Sequence, residues 1–449
     1  MQTDRKWVNF FYWAFAAEIA VARVVLITLR RDVVPSCRLS AARQGRQSAL
    51  RKESVNYESI TTDTRLGEFC KEFAACPWIA LDTEFVSEST YRPELCLIQV
   101  STPRGLAMID VMVVPDVRPF WQAVVDGTHE TIVHAGRGEM EFCLQAVDRL
   151  PKNLFDVQLA AGLAGIEYPA GYGTLVAKLL GESSPKHETR TDWRKRPLSK
   201  RQLDYAVLDV YYLGLIRDRL YALLQELGRL AWLEEETAAW CDELCRATSS
   251  ERWRRVSGNS GLDQRSLAIV HELWKWREGE AQHRDQPPRR VLRDDLIIEL
   301  ARRQTADVKR IRAVRGLERG DLLRKINDIA ACIQRALALP AEQCPARTPR
   351  DATPQLSVLG QFLFAALGSV CRQAHLAPNL VGGPNDIRDW IAWRLAAPAE
   401  GYPEPSRRPK LASGWRAEFV GRLFDDLLSG KTSIRIGDPG SESPLILEG

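Results

Sequence analysis

A chain of 449 residues is long enough for two or three domains, each burying a core of its own. Its 45% apolar and 27% charged residues are those of an ordinary globular protein, which excludes disordered and fibrous classes. The net charge of +4 is uneven: residues 1–56 hold ten Lys/Arg against four Asp/Glu, so the remainder is slightly acidic and any nucleic-acid site in it must be a local basic patch.

In chain order, the first segment is apolar from Trp7 to Ala17 and again after Glu18, with Arg23 interrupting. No uncharged run reaches the length of a membrane span, and no small-x-small cleavage site follows the apolar stretch. Residues 1–56 therefore read as a poorly ordered extension, either a dispensable arm or the product of an early start codon. Trp78 to Phe85, Leu95 to Ser101 and Gly105 to Asp110 read as three closely spaced strands, a meander, and Thr131 to His134 as a fourth. Helical periodicity follows at Glu139 to Val147, Asp156 to Ala164 and Ser199 to Leu220, making residues 57–226 an α/β domain.

A charged helical connection then leads to the linker Ser257-Gly-Asn-Ser-Gly261, with 227–261 forming the junction. Residues 262–340 are helical in pattern throughout, with turns at Pro287-Pro288, Gly316 and Gly320. Residues 341–354 form a second linker, residues 355–438 a second helical domain closing on a short strand at Ser433 to Ile436, and residues 439–449 a tail. The ten cysteines include no Cys-x-x-Cys pair, which argues against zinc and fits reduced thiols in a cytoplasmic protein. Gly430-Lys-Thr432 is not a phosphate loop, because the glycine required five residues before Gly430 is Asp425.

Chemistry concentrates in two places. Asp82 and Glu84 flank Thr83 on an apolar strand, where residues i and i+2 share a face, so two carboxylates project together near a core. Such a pair suits the hard cations Mg²⁺ or Mn²⁺, although an isolated Asp-x-Glu is far more often two surface acids at a strand end. Tyr205 and Asp209 stand at i, i+4 on one helix face, where a phenol beside a metal-binding carboxylate could orient an attacking water.

Ala80-Leu-Asp-Thr-Glu-Phe85, His134-Ala-Gly136, Arg190-Thr-Asp-Trp193 with Arg196-Pro-Leu198, and Tyr205 to Asp209 resemble, in order and spacing, the exonuclease motifs of the ribonuclease D family in the DEDD superfamily. The resemblance implies an RNase H-like mixed sheet flanked by helices, followed by two all-α HRDC-like domains. It implies Asp82, Glu84 and Asp209 as ligands of two divalent cations, Mg²⁺ or Mn²⁺, and Tyr205 as the water-orienting residue of the tyrosine subtype. The family's second-motif aspartate aligns with Glu139, which keeps the charge and adds a methylene; Glu139 is thus the expected fourth acid, with Glu141 as the alternative. Phe85, His134, Arg190, Arg194 and Arg196 are the expected substrate-binding residues. Asp156 reads as an N-cap at least as readily as a metal contact.

Residues 262–340 resemble an HRDC domain through Leu267, Leu273, Trp276-Arg277, Pro287-Pro288, Val291 and Leu296, and 355–438 resemble a diverged second copy by position and length. The resemblance implies a monomeric, cytoplasmic 3′-to-5′ exoribonuclease acting on RNA with a free 3′ end, tRNA precursors above all, with no membrane partner. A DNA-directed exonuclease of the same superfamily and a noncatalytic RNA-binding protein are the alternatives.

Overall fold

The structure is a computed structural model that describes residues 55–183, 191–247, 252–346, 354–395, 408–441 and 444–449. The extension at 1–54 and Arg190 lie outside the described residues.

Six strands form one mixed sheet: β1 (Glu58–Ile60), β2 (Trp78–Val86), β3 (Glu94–Thr102), β4 (Gly105–Asp110), β5 (Glu130–Val133) and β6 (Leu154–Asp156), in the order β1-β4-β3-β2-β5-β6. The meander read from the sequence is the antiparallel run β2-β3-β4, and β5 and β6 extend it in parallel on the β2 side. Alternation along β2 divides its side chains between two layers. Ile79 and Leu81 pack with Phe69 and Phe73 of α1 (Asp63–Ala74), Phe120 and Trp121 of α2 (Arg118–Asp126), and Met140 and Cys143 of α3 (Arg137–Val147). Ala80 points the other way, into a core shared with α4 (Val157–Leu163) and α5 (Tyr172–Leu175). Asp82 and Glu84 continue the Ala80 face, so the two carboxylates sit at the end of a buried stripe.

The single helix expected from Ser199 to Leu220 is two: α6 (Lys200–Tyr211) and α7 (Leu213–Glu226). A capping box starts α6, with the Ser199 hydroxyl accepting from Gln202 N and the Gln202 side chain accepting from Ser199 N at 2.9 Å. The break at Tyr212 has a side-chain cause. Tyr172 donates its hydroxyl to Leu208 O at 2.5 Å and accepts from Tyr212 N at 3.2 Å, occupying the place of the i→i−4 bond between those two residues. Nothing in the sequence periodicity marks this insertion.

Helix α8 (Leu230–Ala247) leads to the first helical domain, built on α9 (Gln264–His283), α10 (Asp294–Arg303) and α11 (Ile326–Ala338). Its apolar residues, among them Leu267, Leu273, Ile297, Ile311 and Ile333, form a separate core. Tyr91, in the loop after β2, reaches this domain: its N–H donates to Asp285 at 3.0 Å and its hydroxyl to Glu278 at 3.1 Å.

The second helical domain, on α12 (Pro354–Gln373), α13 (Pro384–Leu395) and α14 (Arg422–Leu428), behaves differently. Leu363, Leu367, Leu376 and Leu380 share one core with Leu159, Leu163, Leu220 and Leu224 of the exonuclease layer. The buried Arg229 guanidinium donates to the carbonyls of Leu163, His375 and Ala374 across that junction. A Cβ on Gly165 would stand 2.3 Å from His375 O, so the close approach requires glycine there. The strand read at Ser433 to Ile436 pairs antiparallel with a partner at Leu445–Glu448.

Candidate active site

Strand β2 and helix α6 bring residues more than a hundred positions apart into one pocket. Asp82, Glu84 and Asp209 each offer a carboxylate oxygen, and these atoms all lie within 4.8 Å of one another. The Tyr205 hydroxyl hydrogen-bonds the Asp209 carboxylate one helical turn away. Gathering three carboxylates in a half-buried pocket disfavours their ionisation. Burial, then Asp209 and Glu139, pushes Glu84 up to about 8, and burial pushes Asp209 up to about 7 against the Tyr205 hydrogen bond that lowers it. Asp82, surrounded by three acids after its own burial, is raised well above the ordinary carboxylate range. A hard divalent cation fits this donor set: oxygen ligands on converging elements, with negative charge that the protein accumulates at a cost.

The β2–β3 ladder shifts register between Glu84 and Phe85, an irregularity that re-aims side chains beside the pocket. Phe85, 37% exposed, lies edge-on to Phe142 at 5.5 Å, leaving an aromatic surface next to Glu84. Gln99, the register partner of Asp82, is fully buried with neither amide atom hydrogen-bonded, a feature that alternation on a strand gave no reason to single out.

The second motif is built around a tight turn from β5 to α3. A Cβ on Gly136 would stand 2.4 Å from Val133 Cγ2, which explains the glycine there, while Ala135 holds a left-handed φ of 53° that a side chain rarely adopts. Asp156 closes the turn by accepting from Ala135 N and Gly136 N, each at 3.1 Å, and caps α4 through Gln158 N at 2.8 Å. Its capping role is thereby accounted for. The turn places Glu139 in the first turn of α3, buried, where its Oε1 accepts from Thr83 Oγ1 at 2.6 Å. Glu139 thus lies beside the three-carboxylate cluster rather than within it; Glu141 pairs with Arg137 at 3.1 Å and is half exposed.

Two expected substrate contacts are engaged within the protein. The five N–H donors of Arg196 all have partners: two bonds to the Asp110 carboxylate at 2.6 Å, and one each to the carbonyls of Trp193, Lys195 and Cys96. No donor remains for a phosphate, so Arg196 fastens its loop to β4 instead. His134 directs Nε2 at Ala170 O, 2.8 Å away, and packs its ring against Tyr172. Arg194 stays at the surface, bound to Asp192 at 2.9 Å, and Trp193 is buried.

The comparisons with known proteins agree with this geometry. The sequence matches the 3′-5′ exonuclease family over residues 57–225 and the HRDC domain over residues 266–333. It is 34% identical to ribonuclease D of Acidiphilium cryptum over 84% of this chain and 94% of that protein, and 33% identical to ribonuclease D of Pseudomonas paraeruginosa over 81% and 96%. The fold is similar to the crystal structure of Escherichia coli RNase D, an exoribonuclease involved in structured RNA processing, with a TM-score of 0.73 and 28% identity over 84% of this chain and 99% of that one. With that extent of likeness along both chains, this protein belongs to the ribonuclease D family of 3′-to-5′ exoribonucleases.

Proposed function

We propose that the chain removes 3′-terminal nucleotides from RNA as 5′-monophosphates, with tRNA precursors or other stable RNAs as substrates, acting as a monomer in the cytoplasm. The observation that carries the chemistry is the convergence of Asp82, Glu84 and Asp209 within 4.8 Å. These three carboxylates would hold two divalent cations, Mg²⁺ or Mn²⁺, with Glu139 as a fourth acid behind them. When bound, the cations stabilise the charge that develops on the attacking and leaving oxygens of the phosphodiester.

The remaining work falls to the chain's own side chains. Tyr205 presents its hydroxyl at the edge of the carboxylate cluster, where it orients the attacking water by hydrogen bonding. Burial and the neighbouring Asp209 and Glu84 hold the phenol protonated far above neutral pH, so it acts as a donor rather than a base. Phe85 offers its exposed ring to the terminal base, and Arg194 its guanidinium to the backbone behind it.

The test is incubation of purified protein with 3′-end-labelled single strands of RNA or DNA in Mg²⁺, Mn²⁺ or EDTA. Release of labelled 5′-mononucleotide from RNA in preference to DNA, abolished by EDTA and by Asp82→Asn, is the expected result. Preference for DNA overturns the substrate assignment, and RNA binding with no release overturns the catalytic one.

A further inference from the structure

We propose that Tyr172 is a positioning residue for the reaction, setting the direction of the helical turn that carries Tyr205 and Asp209 by inserting its hydroxyl between Leu208 O and Tyr212 N. The proposal rests on the exonuclease reading of the site and adds to it a residue outside the four acids and the tyrosine.

The geometry is specific. A regular helix would close a bond from Tyr212 N to Leu208 O, and those two groups bracket Asp209. Here the Tyr172 oxygen takes both, donating to the carbonyl at 2.5 Å and accepting from the amide at 3.2 Å, and α6 ends at Tyr211 with α7 starting at Leu213, just beyond the catalytic pair. The ring that delivers this oxygen is 6% exposed and stands edge-on to His134 at 5.8 Å. His134 in turn is fixed to Ala170 O, so the end of β5, the start of α5 and the end of α6 are joined through one side chain. Without the hydroxyl, Leu208 O and Tyr212 N either close the regular bond, which rotates Asp209 against Asp82 and Glu84, or leave the Leu208 carbonyl without its donor at a half-buried turn. Both consequences loosen the carboxylate cluster while leaving the fold's apolar packing in place.

Tyr172→Phe removes one oxygen and keeps the ring. The experiment compares wild type and Y172F for kcat and KM on single-stranded RNA, for Mn²⁺ affinity by calorimetry without RNA, and for thermal midpoint. Expected are a kcat lower by about ten-fold with KM within about two-fold, as for a small misplacement of reacting groups, and Mn²⁺ binding weakened by several-fold. Unchanged kcat and Mn²⁺ affinity overturn the proposal. So does a kcat loss that appears only together with raised KM and a large fall in thermal midpoint, which assigns Tyr172 to general packing. Should the wild type release no nucleotide, the exonuclease reading fails, while Mn²⁺ binding by the two proteins still decides whether Tyr172 positions the cluster.

Discussion

Thr83 Oγ1 donates to Glu139 Oε1 at 2.6 Å, on the face of β2 opposite the one that carries Asp82 and Glu84. The longer side chain at this position is therefore secured by the strand that bears two carboxylates of the cluster, behind them rather than among them. Glu139→Ala is expected to lower kcat by about 10- to 100-fold, the range for partners that support metal ligands from behind. Glu139→Gln, which keeps the hydrogen bond and drops the charge, separates the two contributions in the same assay. Full activity of both variants removes Glu139 from the mechanism. Thr83→Val leaves the buried carboxylate oxygen without its donor and is expected to cost about 1–3 kcal/mol in urea unfolding.

Tyr205→Phe is expected to lower kcat by about 100-fold or more, within the range for a positioned proton donor, while leaving cation binding nearly intact. The hydroxyl also lowers the pKa of Asp209, so its loss raises that carboxyl further. The pH at which activity reaches half its maximum should move upward in Y205F, and an unmoved profile with unchanged kcat contradicts the assigned role.

The acidic pocket makes the metal-free protein less stable as pH rises. Glu84 goes from 4.5 to about 8, and Asp209 from 3.8 to about 7, on folding. Because both folded values lie above the unfolded ones, the native state binds more protons between roughly pH 4 and pH 8. The contribution of these two carboxyls to stability is complete below that window and declines through it. Thermal midpoints in EDTA should therefore fall between about pH 5 and pH 8, and Mg²⁺ should restore the loss at the upper end. Glu84→Gln should flatten this dependence and raise the metal-free midpoint at pH 8 by about 2 °C or more, while abolishing turnover.

Arg196→Lys tests whether that residue serves structure or RNA. A lysine cannot reproduce five donors in a planar fork, so the variant leaves part-buried acceptors without donors and should lose about 1–3 kcal/mol of stability. Its KM for RNA, measured well below the unfolding transition, should match wild type. A raised KM with unchanged stability would return Arg196 to the substrate path.

The chemistry-bearing residues were legible because strand and helix periodicity fix which side chains share a face. Two acids at i, i+2 on β2 and a Tyr–Asp pair at i, i+4 on α6 each share a face by those repeats, and their assignment to one pocket came from the resemblance of the motif order to the ribonuclease D family. The three-residue strands β1 and β6 were not, since so few residues show no alternation and both are held by pairing with distant partners. The helix break at Tyr212 escaped for a related reason: it is caused by an oxygen forty residues earlier in the chain. The partners of Arg196 were not legible either, because a basic cluster in sequence does not reveal that Asp110 and three carbonyls engage one member of it.

The two helical lobes stand in unequal relations to the nuclease. The one spanning 252–344 owns its apolar interior, so deleting it would open no large hydrophobic surface elsewhere. A message ending soon after residue 346 would instead strip Leu363, Leu367 and Leu380 from the back of the catalytic layer and leave Arg229 buried without the carbonyls of Ala374 and His375. Such a truncated product would carry every acid of the pocket and still be prone to aggregation and proteolysis, because the far end of the chain completes the interior on which the catalytic layer rests.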